Sequence, residues 1–459
     1  MRTPDTIDTR RIGALGTPRL GGRTWTAILA VGLVGQLAWV IENMYLNLFV
    51  YDTISTDPAV IAIMVAASAV AATAATLLFG AWSDRLARRR EFVAIGYIAW
   101  GLVTAAFGLI GGGASGALAN GASGASTAAA ATATAVIAII ALDCVMSFIG
   151  SGANDAAFAA WVTDSTVPAN RGHVDGWLAV MPLIGMLLVF VLLDPLTQSG
   201  QWSLFFGIVG GITVATGIAA WFLIRDRGVA KHPHGVLRAI FEGLRPQTIR
   251  REPALFLTLA IWTVIGISSQ VFLPYVLIYL RYSLALDGYA IVLGVVLLLA
   301  SALSVAGGRL MDRIGKPRFL PFAVGAFAAG LLAMLFVREM TGVIAAATVM
   351  MAGMMTSVAA VSAMTRDRTP ADRAGGVQGA RMIMAILIPM LIGPAIGAAV
   401  ISGADHSYVE LGVSHPVPGP EIFLAAAVVL VAVPPLAMLR ARMMRRGEDA
   451  RVATRADRA

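Results

Sequence analysis

The sequence predicts an all-α membrane protein of twelve transmembrane helices in two pseudo-symmetric six-helix bundles. Three observations predict it: an apolar composition, twelve apolar runs of spanning length, and a loop motif that occurs twice at half-length spacing. Hydrophobic residues make up 58% of the 459 positions and charged residues only 13%, too apolar for a soluble domain. Runs of about 20 apolar residues, enough to cross a bilayer, begin near positions 25, 59, 92, 134, 174 and 203, then near 254, 288, 319, 342, 377 and 421. The fourth and eleventh carry polar interruptions that a soluble core helix also shows.

In chain order, residues 1–24 form a polar, basic tail (Arg2, Arg10, Arg11, Arg19, Arg23). No small-residue cleavage site follows the next apolar run, so it reads as a retained helix. Residues 25–224 hold the first bundle. Gly80, Asp84 and Arg85, followed by Arg88, Arg89 and Arg90, lie between its second and third helices. Gly111 to Thr134 is an Ala/Gly/Ser/Thr tract, flexible by composition, between helices three and four. After helix four comes a loop with Thr163, Asp164, Pro168, Arg171 and Gly172.

Residues 225–253 are a charged connector. Leu237, Ile240, Phe241 and Leu244 recur at helical spacing among Arg238, Glu242 and Arg245, as in a helix lying flat on the inner leaflet. His232 and His234 flank a proline and read as solvated side chains, not metal ligands. Residues 254–439 hold the second bundle. There Gly308, Asp312 and Arg313, followed by Lys316 and Arg318, repeat the first motif 228 residues on, and Arg366, Asp367, Thr369, Pro370 and Arg373 repeat the second. From first Asp to last Arg the spacing is 87 residues in the front half and 61 in the back. The surplus of 26 matches the Gly111–Thr134 tract, which is expected to be a linker without chemistry. Residues 440–459 are a basic tail.

The net charge of +8 does not point to nucleic acid. Of the 34 Lys and Arg, all but Arg281 and Arg338 fall on one side of this topology, which the positive-inside rule assigns to the cytoplasm. Both termini are therefore expected there, in a multi-pass protein of the cytoplasmic (plasma) membrane. The single cysteine, Cys144, excludes internal disulfides and a thiol metal site.

The duplicated loop resembles the signature of the major facilitator superfamily, G-x-x-x-D-R-x-x-R/K-R between helices two and three of each half. The resemblance covers the whole chain. It implies a secondary transporter with one central site reached alternately from each side, no enzyme activity, no cofactor, and function as a monomer. It also implies a gate: Asp84, Arg85, Arg89 and Arg171 in front, and Asp312, Arg313 and Arg373 behind, latching the halves on the inside when the carrier opens outward. By pseudo-twofold symmetry Asp84 should then lie near Gln378 to Arg381, and Asp312 near Arg171 to Asp175.

Acids inside the hydrocarbon are functional candidates because each costs several kcal/mol there. The spans offer Glu42 on helix one, and Asp143 and Asp155 on helix four. At 100° per residue, Gln36, Trp39, Asn43 and Asn47 share one stripe of helix one, with Glu42 at its edge. Asp143, Ser147, Asn154, Phe158 and Trp161 share one of helix four, with Asp155 off it, where it could pair with Arg171. Glu42 and Asp143 fall at one depth, roughly 26–28 Å from the inner helix ends at 1.5 Å per residue. Two acids so placed resist double ionisation, which suits a proton-coupling pair. The alternative is that each only accepts a hydrogen bond from a neighbouring helix.

Amides beside Trp and Phe also suit a polyol. Gly35 to Trp39, Leu142 with Asp143, and Asp164 are similar to the glycoside/pentoside/hexuronide and sucrose-type sugar:cation symporters. That resemblance implies symport of a small sugar or glycoside. Its sodium-using members keep carboxylates on helix two; this chain has none, which favours H+. On helix seven, Trp262, Gln270, Phe272, Tyr275 and Tyr279 could complete the site, with Gln270 and Tyr275 the expected contacts. Two rivals stay open: a proton-coupled drug or metabolite efflux antiporter, and a non-transporting membrane sensor. Such antiporters show Gly-Pro-x-x-Gly-Gly on helix five, where this chain has only Met181, Pro182 and Gly185; Gly393, Pro394 and Gly397 lie on helix eleven.

Overall fold

The computed structural model describes residues 20–86, 88–119, 125–226, 252–286, 288–369, 374–404, 406–410 and 413–456. The expected amphipathic helix of the connector, with His232 and His234, lies outside the described residues, as does Arg373; so do the side chains of Asp84 and Arg85. Among the described residues, twelve helices are long and apolar enough to cross a membrane. They are α1 Gly22–Thr53, α2 Pro58–Gly80, α3 Arg89–Ile110, α4 Ala130–Ser165, α5 His173–Gln198, α6 Trp202–Leu223, α7 Pro253–Ser283, α8 Tyr289–Ile314, α9 Lys316–Met334, α10 Met340–Arg366, α11 Val377–Gly403 and α12 Glu421–Met444. Helix α1 starts beside the basic amino tail, so odd helices run from the basic face to the far face and even helices return.

Helices in lipid gain little from apolar burial against one another and instead pack at small residues that let backbones touch. A Cβ on Gly101 of α3 would stand 2.5 Å from the Gly210 carbonyl oxygen of α6, and one on Gly353 of α10 would stand 2.3 Å from the Phe327 nitrogen of α9. On the basic face, Arg23 donates from Nε to the Leu223 carbonyl at 3.1 Å and from its Nη to the Phe222 carbonyl. A cation thus satisfies the carbonyls at the C-terminal end of α6. The turn of the second basic motif is a single residue: α8 ends at Ile314, α9 starts at Lys316, and Gly315 between them has φ 88°, which a side chain would strain.

The Gly111–Thr134 tract differs from expectation. The helix of α3 continues to Ala119 and that of α4 begins at Ala125, so most of the tract is helical. Its alanines explain the outcome, since Ala has the best helix propensity and outweighs scattered Gly and Ser. Between α11 and α12 a two-stranded hairpin, β1 Ser407–Glu410 and β2 Val413–Pro416, pairs Tyr408 with His415 on the far face.

The two halves meet at the far face. Among the described residues, the hydrogen bonds joining them all lie there. Arg281 and Tyr282 of α7 donate to Asp52 of α1 at 3.0 and 2.7 Å. Tyr51 donates to the Pro416 carbonyl at 2.8 Å, and Tyr289 of α8 donates to Asp194 of α5 at 2.8 Å. The Tyr275 hydroxyl lies 3.2 Å from the Pro58 carbonyl of α2 and 2.9 Å from the Pro394 carbonyl of α11. On the basic face, hydrogen bonds among the described residues lie within each half: Arg89 to Asp164 at 3.3 Å and Ser83 at 2.5 Å, and Lys316 to Asp367 at 2.5 Å. Asp312, Arg171 and Arg313 are exposed there. Among the described residues, hydrogen bonds thus join the halves at the far face and not at the basic face, and Asp312 does not form the contact expected of the opposite state.

Candidate functional site

A cavity of about 210 Å³ lies between the halves. One wall is polar: Trp39, Glu42 and Asn43 of α1, Ser68, Thr73 and Thr76 of α2, and Ser151 and Asp155 of α4. The facing wall is apolar, built from Met382, Ile386 and Met390 of α11. Among the described residues no lysine or arginine lines it.

Local helix geometry brings these residues together. Helix α1 makes a π turn over Ile41–Tyr45, α4 over Ser151–Phe158, α5 over Val189–Leu193, α7 over Tyr279–Ser283 and α11 over Ile383–Leu387. Such turns are rare and concentrate at functional sites. A π turn inserts one residue, so side chains beyond it rotate by about 100° relative to a regular helix. On α4 the inward face therefore runs Asp143, Ser147, Ser151, Asp155, each four residues on, and does not pass to Asn154 and Phe158.

That rotation moves several expected contacts. Asp155 is exposed into the cavity and accepts from Asn154 Nδ2 at 2.9 Å. Its expected pairing with Arg171 is not made; Arg171 donates to Thr166 Oγ1 and the Thr163 carbonyl, each at 3.3 Å. Asn154 is buried, with the Tyr97 hydroxyl 2.8 Å from its Oδ1. Phe158 stacks on Trp161 at 6.0 Å in the core of the first half. Asn47 is fully buried and donates to the Asn43 carbonyl at 2.8 Å, tying one turn of α1. These three residues hold the wall and do not line it.

Glu42 is 8% exposed and Asp143 2%. Ser147, one turn along from Asp143, donates to Glu42 Oε1, and Ser68 of α2 faces Asp143. Glu42 Oε2 and Asp143 Oδ1 are buried without a partner. The pair forms a layer directly behind the cavity wall, in which only Glu42 reaches the cavity itself.

The other candidates sit elsewhere. Gln36 lies where α1 meets Gly185 of α5, and Gln270 packs on Gly393 of α11. Tyr275 is fully buried in the far-face contact already described. Helix α11, not α7, thus completes the cavity from the second half. Trp39 does line it and meets Trp100 edge to face at 5.8 Å.

The sequence reading missed two groups. One is the far-face latch of Asp52, Arg281 and Tyr282; the charge of Arg281, isolated on the sparsely basic side, was its available signal. The other is Asp194, a buried acid near the far end of α5. It is 1% exposed and accepts from Tyr45 at 2.9 Å, Tyr289 at 2.8 Å and Gln198 at 2.5 Å. Its bonding capacity is filled, so it joins helices.

Two six-helix halves around a cavity with one polar wall have the architecture of a membrane carrier. The chain matches the profile of the Major Facilitator Superfamily over residues 27–394 and again over 265–455, and it belongs to that family. It is a transporter of a small-molecule solute, not an enzyme. Among solved structures it is similar to the nucleoside transporter NupG, at TM-score 0.65 and 12% identity over 92% of this chain and 99% of that one. It is also similar to a bacterial homologue of the human lysosomal transporter Spinster, captured inward-facing and occupied, at TM-score 0.66 and 13% identity over 92% and 97%. A bacterial homologue of the iron transporter ferroportin follows at TM-score 0.60 and 12% identity over 92% and 99%. At these identities the likeness concerns the fold. A search of curated protein sequences finds no match.

Proposed function

We propose that this protein carries out proton-coupled uptake of a small sugar or glycoside across the plasma membrane by alternating access, with its basic face in the cytoplasm. The observation that carries the reading is the two-layer arrangement of the polar wall. In front stand Trp39, Asn43, Thr73, Thr76, Ser151 and Asp155, which offer hydroxyl, amide and carboxylate partners to a polyol and a ring face for its apolar side. Behind them lie Glu42, which accepts from Ser147, and Asp143, faced by Ser68. A proton held between two buried carboxylates would let occupancy of the front layer report to the back one.

In this reading Met382, Ile386 and Met390 pack on the solute, and the Asp52–Arg281 latch alternates with contacts of Asp84, Arg85, Arg89, Asp312, Arg313, Arg171 and Arg373 on the basic face. No cofactor enters the cycle, and one copy suffices. The test is uptake of a panel of labelled saccharides into proteoliposomes with an imposed proton gradient, with and without a protonophore. Protonophore-sensitive accumulation of one sugar class supports the reading, and accumulation that ignores the gradient overturns the coupling.

The apolar methionine wall facing two acids supports a second reading, export of an amphipathic cation by proton exchange. Gradient-driven extrusion of a lipophilic cation, with no saccharide accumulated, would select it.

A further inference from the structure

A second recess, of about 950 Å³, opens on the basic face of the C-terminal half, among residues of α8, α9, α10 and α12. Lys316, Arg318, Arg368 and Arg440 line it, together with Glu252, Asp312 and Asp367. Arg440 is the informative residue. Its side chain is 7% exposed, and Nε donates to Thr258 Oγ1 at 2.8 Å. Arg368, a second cation lining the recess, is near enough to repel its charge. Among the described residues no carboxylate pairs with Arg440, Arg368 or Arg318, and Asp367 is taken by Lys316 at 2.5 Å. A buried guanidinium beside a second one, with donors turned to a cavity, is stabilised only when an anion joins them.

The rest of the lining says what kind of anion. Met311, Met364, Ala441 and Met444 form an apolar flank beside the arginines. The recess therefore sets four cations, with three carboxylates among them, beside an apolar flank at the basic-face ends of the spans. Guanidinium groups bind phosphate oxygens through paired N–H bonds, and basic pockets between transmembrane helices hold anionic headgroups.

We propose that this recess binds the phosphate group of an anionic phospholipid, with Arg368 and Arg440 on the phosphate and the methionine flank along an acyl chain. The same recess carries the Lys316–Asp367 pair and Asp312 of the duplicated basic motif. A bound phosphate would compete with Asp367 for Lys316, so occupancy would bear on how the basic-face loop is held.

The full-length protein, purified in detergent, is titrated with phosphatidylglycerol, phosphatidylcholine and inorganic phosphate and read by native mass spectrometry. Phosphatidylglycerol is expected to remain bound where phosphatidylcholine dissociates. Arg368→Gln should weaken its retention about fivefold, the effect of one basic group at an anionic surface. Arg440→Lys, which keeps the charge but loses the planar fork, should also weaken it. Arg440→Gln could fail to fold, and the half-buried Arg368 then carries the test. Inorganic phosphate that binds alone, and displaces the lipid, would keep the phosphate chemistry but assign the site to the free anion. Equal retention of the two lipids, or unchanged retention in both Arg368→Gln and Arg440→Lys, overturns the proposal.

Discussion

Arg281, one of two basic residues expected on the far side, donates to Asp52 at 3.0 Å and thereby joins the end of α7 to the end of α1. Tyr282 takes the other oxygen of the same carboxylate at 2.7 Å, and Tyr282 stacks on Tyr408 of the hairpin at 5.2 Å. The far-face closure is thus one connected set of contacts, with Asp52 at its centre. Hydrogen bonds to a charged group contribute about 1.5–3 kcal/mol, and Asp52 is nearly buried. Arg281→Gln is expected to shift the population toward the far-side-open state by about tenfold or more. Spin labels on Ser199→Cys and Glu339→Cys, in a Cys144→Ser background, measure it across the far face. A distance distribution indifferent to Arg281→Gln would remove the latch from the mechanism.

The π turn of α4 makes a prediction that separates neighbouring residues. With Cys144 replaced by Ser, cysteines at Ser151 and Asp155 should react with a membrane-impermeant thiol reagent supplied on the basic side, and cysteines at Asn154 and Phe158 should not. The reverse pattern would restore the regular-helix register. Asn154→Ala should lower stability by about 0.5–1.5 kcal/mol, because it removes one of two acceptors at the buried Tyr97 hydroxyl, which keeps the Val31 carbonyl at 3.0 Å. Thermal unfolding in detergent reads this effect without reference to transport.

Much of the architecture is legible in the sequence because bilayer thickness converts directly into run length, and because a duplicated Asp-Arg loop marks the repeat. The residues of the cavity are only partly legible. Trp39, Glu42 and Asn43 precede or begin the π turn of α1, so counting at 100° per residue places them on the cavity side. Beyond a π turn the same count drifts by a residue, which is why Asn154 and Phe158 were favoured over Ser151 and Asp155. Met382, Ile386 and Met390 carry no polar signal and are indistinguishable from lipid-facing residues until α11 is seen against α2. Asp194 and Asp52 were missed for a simpler reason: both lie in the last turns of their helices, where an acid reads as a loop charge.

The helical extension of α3 and α4 changes what shortening the Ala-rich tract should do. The spans themselves end at Ile110 and begin again at Ala130, outside most of the tract. Removing about 12 residues from within 113–128, with a short turn left in place, should leave uptake within a few-fold, since connections of 2–8 residues suffice between antiparallel helices. Normal membrane expression with lost uptake would show that the extensions have work of their own.

The coupling pair is the most consequential test. Glu42 and Asp143 occupy a layer in which Ser147 donates to Glu42, and among the described residues no basic residue lines the adjoining cavity. If that layer carries the proton, Asp143→Asn should abolish concentrative uptake while leaving counterflow measurable, because an amide keeps much of the hydrogen bonding of a protonated acid but releases no proton. Glu42→Gln should do the same or move the pH optimum, and since Glu42 also touches the cavity it should weaken solute affinity as well. Ser147→Ala removes the donor to Glu42 without removing an acid, so uptake should persist with an altered pH profile. Trp39→Ala and Asn43→Ala should raise the apparent KM and leave coupling intact, since both lie only in the front layer. Proton-driven uptake and counterflow, measured together in proteoliposomes for all five variants, distinguish the layers. Full accumulation in both carboxylate variants would make Glu42 and Asp143 packing groups and would move the proton to Asp155, the one remaining acid of the cavity wall.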